Sequence, residues 1–215
     1  MRMNEVILAY SRLPRQLPAT LRTQWRSRLS PARALRLSAD TRAQSQTLLG
    51  VALACGLLSR ASGRRVEPGE LRYSANGKPH APGLPEFSIA HADIWVLCAL
   101  ASAGTVGVDI EPLVARAALP GWSTVFDAQE RAAARTPRAA LAIWTAKEAV
   151  LKAAGATLAE LSQVRVRGRR LEFRGRRWHC CTPRIAPHLI TRLVTARPVT
   201  RLSLRCVPLS LALAP

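Results

Sequence analysis

The chain has 215 residues, 48% of them hydrophobic, which supplies enough apolar surface for a folded core and excludes disorder as the main state. No apolar run reaches the roughly 20 residues that a membrane helix needs, and residues 6–9 are too short a run for a secretion signal, so a cytoplasmic protein is expected. The formal charge of +19 favours an acidic partner without choosing among nucleic acid, an anionic membrane surface and an acidic protein.

Residues 5–10 read as a short apolar strand. Residues 22–59 are rich in Ala and Leu and broken mainly by Pro31, which predicts two helices. In the second, Asp40 or Thr41 caps the start, Leu48, Leu49, Ala52, Leu53 and Leu57 form a helical stripe, and Gly63 lies just past the end. Residues 63–85 are rich in Gly, Pro and polar side chains, a loop region with a short strand at 71–73 and a turn at Asn76-Gly77. Strands follow at 87–91, 95–101 and 105–111, the last two expected to form a hairpin through Ser102-Ala103-Gly104. The run 95–101 has no polar side and is expected to be buried on both faces.

The second part repeats this order. Helices are predicted at 128–135 and 138–154, the latter stopped by Gly155, with strands at 164–167, 171–173, 178–181, 189–196 and 202–207. Helices followed by antiparallel strands, twice over, predict an α+β fold of two similar halves, residues 1–104 and 105–215, with a site in the cleft between them. Five cysteines, an odd number without a C-x-x-C pair, read as reduced and structural; Cys180-Cys181 beside His179 is the only arrangement resembling ligands.

Two stretches carry chemistry. In Gly107-Val108-Asp109-Ile110-Glu111 the alternation of a strand puts Asp109 and Glu111 on one side with Gly107, and Val106, Val108 and Ile110 on the other, while Pro112 leaves the carboxylates near the strand tip. Such a pair suits a hard divalent cation, and it also fits a solvated edge strand. In the helix, Trp144, Glu148 and Lys152 are spaced four apart and line one face. Glu148 and Lys152 fit a routine helix ion pair. Against that reading, only three lysines stand among 32 basic residues: Lys147 and Lys152 lie here and Lys78 in the loop, which points to a use for a compact ammonium.

Gly107-Val-Asp-Ile-Glu111 followed by Trp144-x-x-Lys-Glu-Ala-x-x-Lys152 closely resembles the paired signatures of the 4'-phosphopantetheinyl transferases, and Phe87-Ser-Ile-Ala-His91 resembles a third motif of that family. Length and motif position resemble its long, two-halved, surfactin-synthetase-activating type. The resemblance implies a transferase of the holo-acyl-carrier-protein synthase kind, which moves phosphopantetheine from coenzyme A to a carrier-protein serine with Mg2+, or Mn2+ in its place. It implies Asp109, Glu111, Glu148 and Glu130 as metal residues; Glu148 as base; Lys152 and His91 at the reacting phosphates; and Lys78, Ser88, Arg33, Arg36 and Arg42 as further coenzyme A contacts. Ala90 replaces the Ser usual before the His, so one phosphate contact falls to Ser88 or is lost. An acidic acyl or peptidyl carrier is the implied partner, with neither nucleic acid nor membrane involved, and two fused halves let a monomer form the cleft.

Two other readings of the residues remain. A metal-dependent nuclease would also use acidic residues with Glu and Lys, but nuclease cores of that kind carry Glu-x-Lys on a strand, whereas Glu148 and Lys152 are on a helix. A nucleic-acid-binding module would interleave aromatic and basic residues, which only residues 169–178 do.

Overall fold

The computed structural model describes residues 3–113 and 122–214. In chain order the elements are β1 (Glu5–Arg12), α1 (Ala19–Ser27), α2 (Pro31–Leu35), α3 (Thr41–Ser62), β2 (Arg72–Tyr73), β3 (Pro79–His80), β4 (Phe87–Ala92), β5 (Trp95–Ala101), β6 (Val106–Pro112), α4 (Trp122–Val125), α5 (Ala128–Ala133), α6 (Pro137–Ala154), β7 (Arg165–Arg167), β8 (Arg170–Phe173), β9 (Arg176–Cys181), β10 (Leu189–Thr195), β11 (Arg201–Cys206) and α7 (Leu209–Ala212). The fold is mixed α+β.

Two sheets organise it, one in the order β11-β1-β5-β4 and the other β6-β10-β9-β8-β7. Their facing sides share a core built from Val6, Leu8, Leu97 and Ala99 of the first sheet and Val106, Val108, Ile110 and Leu193 of the second. Each sheet carries one long helix on its other side: α3 packs Leu49, Leu53 and Ala52 against the first, and α6 packs Ala146, Ala149, Val150 and Ala153 against the second. The central strand β5 is buried along its whole length because it lies between a helix layer and a sheet layer.

Local rules explain the helix ends. Asp40 accepts the Ala43 N–H at the start of α3, and Gly63, at φ 70°, closes its end. Thr136 caps α6 with Pro137 in its first turn, and Gly155, at φ 63°, ends it.

Two expectations are corrected. β5 and β6 form no hairpin: both edges of β5 are already taken, by β1 and β4, so the chain after Ser102 crosses to the other sheet. The hairpin is β4–β5, turned at Asp93, whose φ is 51°. The division at residue 104 also fails for the tail. β11 pairs in parallel with β1, and Trp25 Nε1 donates to the Leu213 carbonyl at 3.3 Å, so the C-terminal residues complete the N-terminal sheet and its core.

All five cysteines are free. Burial pushes the Cys55 thiol up to about 12, as expected of a core residue and not of a nucleophile.

Candidate active site

The site begins with a close approach. Gly107 of β6 lies against α6 so tightly that a Cβ there would sit 2.0 Å from the Ala149 carbonyl oxygen and 2.4 Å from the Ala153 nitrogen. Only glycine fits, and the strand therefore presses its Asp109 and Glu111 face directly onto the helix. Glu148 and Lys152, one helical turn apart, meet those carboxylates.

Oxygens of Asp109, Glu111 and Glu148 lie within 4.8 Å of one another. The Lys152 ammonium is 2.8 Å from Asp109 Oδ1. Asp109 is 4% exposed, and its second oxygen, Oδ2, is buried with no hydrogen-bond partner among the described residues. Carboxylates this close repel one another, and Glu148 registers it. Burial first, then the Asp109 charge with Glu111 acting the same way, push the Glu148 carboxyl up to about 8 against the opposing pull of Lys152. An all-oxygen donor set with an orphaned buried carboxylate oxygen fits a hard divalent cation such as Mg2+ or Mn2+.

His91 stands at the end of β4 with its side chain exposed. Desolvation, and then the charge of Lys152, hold its imidazole below the ordinary value while Asp109 acts the other way, which ties the ring electrostatically to the cluster. Arg42 ion-pairs with Asp93 in the turn just after His91.

Residues 105–196 match the family model of the 4'-phosphopantetheinyl transferase superfamily. The matched segment runs from β6 through β10 and contains all three clustered carboxylates and Lys152. A search of the curated proteins finds no match to the chain.

Within the matched segment Glu130 stands apart from the three clustered carboxylates. Its side chain is 0% exposed, with Oε2 2.8 Å from the Lys147 ammonium and accepting the Asp127 N–H, and Oε1 accepting the Val166 N–H. Both oxygens are therefore occupied by protein donors, and the expectation that Glu130 serves the metal is corrected. Ser88 is likewise occupied: it is buried and its Oγ accepts the Val108 N–H at 3.1 Å, joining β4 to β6 where a phosphate contact was expected.

The other expected coenzyme A residues fall at two places. Lys78 is docked on the C-terminal end of α6, with its ammonium 2.8 Å from Glu86 Oε2 and 3.4 Å from the Ala153 carbonyl, while Asn76 donates to the Gly155 carbonyl at 2.8 Å. Cations suit that end of a helix. Arg33 stacks over the Tyr73 ring at 4.7 Å and, with Arg36, Arg72 and Gly77, lines a cavity of about 470 Å3 beside the Lys78 loop.

Sequence reasoning missed the role of Lys147. It is fully buried, and its ammonium also donates to the Val125 and Val164 carbonyls at 2.9 and 2.6 Å, fastening the segments before α5 and before β7 to α6. Its rarity as a lysine was the available signal, but the partners lie 14 residues or more away.

Proposed function

We propose that the protein transfers the 4'-phosphopantetheine group of coenzyme A to a serine of an acyl or peptidyl carrier protein, converting apo to holo carrier. The observation that carries this reading is the meeting of Asp109, Glu111, Glu148 and Lys152 at the contact of β6 with α6, inside the matched domain. Asp109, Glu111 and Glu148 would hold Mg2+, or Mn2+ in its place. When bound, the cation supplies Lewis-acid neutralisation of the pyrophosphate of coenzyme A.

Glu148, ionised beside the cation, takes the proton of the carrier serine. The serine oxygen bonds to the phosphorus that bears pantetheine, the bond from that phosphorus to the bridging oxygen breaks, and adenosine 3',5'-bisphosphate leaves. Lys152 offsets the charge that grows on the departing phosphate, and His91 donates a hydrogen bond to a phosphate oxygen from the rim. Lys78, Arg33, Arg36 and Arg42 grip the nucleotide end.

We further read the two sheet-and-helix units as related halves with the site in the cleft between them, as in the long type of the family. The long helix on the outer side of each sheet supports this. The protein would act as a cytoplasmic monomer; no described helix is long and apolar enough to cross a membrane.

Intact-mass measurement of an apo carrier incubated with the protein, coenzyme A and Mg2+ tests the reading. A single phosphopantetheine adduct, absent when EDTA replaces Mg2+, is expected. No adduct on any of several peptidyl and acyl carriers would refute it.

A further inference from the structure

The two elements that hold the carboxylates also build a second feature. β10 pairs with β6 so that Ile190 stands opposite Glu111 and Arg192 opposite Asp109, and opposed residues of paired strands share a face. The sheet face that carries the cluster therefore continues onto Ile190 and Arg192. There a groove of about 540 Å3 opens between the N-terminal half of α6 and the loop that enters β10. Arg138 and Ala142 line it from the helix, Arg184 and Ile185 from the loop, and Ile190 and Arg192 from the strand.

Charge selects what this groove can receive. Its lining holds three guanidinium groups and no carboxylate, and among the described residues none of the three is ion-paired. Arg192 is half-buried, and among the described residues its Nη1 donates to the Thr182 hydroxyl at 3.2 Å and the Thr191 carbonyl at 3.3 Å. A partly desolvated cation without a counter-charge is costly.

The occupant follows from the reaction. A serine presented to Glu148 brings its flanking polypeptide with it, and that polypeptide must lie over the surface next to Glu148. The groove is such a surface, reached along α6 and across the Glu111–Ile190 pair, and its size and mixed lining suit apolar side chains flanked by carboxylates. We propose that this groove docks the acidic and apolar segment beside the carrier's acceptor serine, with Arg138, Arg184 and Arg192 facing its carboxylates and Ile185 and Ile190 its apolar side chains. This rests on the transferase reading above.

The test is steady-state kinetics with apo carrier and coenzyme A varied separately. Arg138 and Arg184 are exposed, so the double variant Arg138→Glu/Arg184→Glu keeps the fold, which its thermal melt checks. Its KM for the carrier is expected to rise about tenfold or more, while KM for coenzyme A stays within about twofold. Arg184→Ala, a truncation on a loop, gives a smaller rise of about threefold in the same parameter. Arg60→Glu/Arg205→Glu makes the same change in net charge at exposed positions on α3 and β11 and should leave KM for the carrier within about twofold. Recovery of transfer by the charge-reversed enzyme on a carrier whose flanking acid is changed to Lys would support the docking directly.

An equal rise in both double variants would mean net charge alone and would overturn the proposal. A rise confined to coenzyme A would give the groove to the cofactor and overturn it equally, as would no change in any constant. Absence of transfer by the unaltered protein would instead bring down the transferase reading, and this one with it.

Discussion

Lys147 and Glu148 are neighbours on α6, yet the charges around them are arranged in opposite ways. Around Lys147 every group has a partner: a fully buried ammonium meets the Glu130 carboxylate and backbone carbonyls, and the remaining Glu130 capacity is filled by backbone N–H groups. Around Glu148 three carboxylates crowd within 4.8 Å of one another, and among the described residues the buried Asp109 Oδ2 has no hydrogen-bond donor. A closed polar network fixes structure, whereas an open one on the same helix is poised for a ligand. The helix that anchors the domain thus carries a carboxylate of the open cluster one residue from its anchor.

Substitutions at the two positions should separate these roles. Glu148→Gln is expected to lower the transfer rate by about 10^2- to 10^4-fold with no loss of thermal stability, since it removes a base and relieves repulsion. Lys147→Met should do the reverse, costing about 3–5 kcal/mol in denaturant unfolding because it leaves Glu130 charged and buried. If Lys147→Met kept full stability, the anchor reading of that pair would fail. Gly107→Ala links the two networks. Its Cβ would collide with backbone and part β6 from α6, at a cost of about 3 kcal/mol, and the carboxylates would separate with a loss of transfer in the fraction that stays folded.

A pH titration sharpens the contrast further. The Glu148 pKa is raised in the folded protein, from 4.5 to about 8, so the folded state binds this proton more tightly than the unfolded chain. Stability from this group is fully present below the unfolded value and is lost as pH rises through the folded one. Cation-free protein should therefore lose melting temperature between about pH 4.5 and about pH 8 relative to Glu148→Gln, and added Mg2+ should restore it at the upper end. Coincident melting curves of the two proteins across that range would contradict the open network.

Much of the local pattern was legible in the sequence. The alternation that sets Asp109 and Glu111 together, the four-residue spacing of Glu148 and Lys152, the Asp40 cap and the glycine stops at 63 and 155 are all short-range features, and the structure carries each of them. What escaped was long-range. That β6 leaves the first sheet depends on β1 and β4 already occupying both edges of β5. That β11 returns to β1 depends on partners nearly the whole chain apart. The expectation for Glu130 failed for the same reason: an acidic residue near the motifs carries no mark of whether its oxygens are spent on Lys147 and two backbone amides. Gly107 was placed on the side of Asp109 and Glu111, but the distance that makes glycine obligatory there is a property of the packed helix.

The most direct test is Mn2+ binding followed by electron paramagnetic resonance, in the presence of coenzyme A, for the unaltered protein, Glu148→Gln and Glu130→Gln. One bound Mn2+ is predicted for the unaltered protein and for folded Glu130→Gln, with affinity at least about tenfold weaker in Glu148→Gln. Loss of the ion in Glu130→Gln with full retention in Glu148→Gln would contradict the assignment of the open cluster as the cation site.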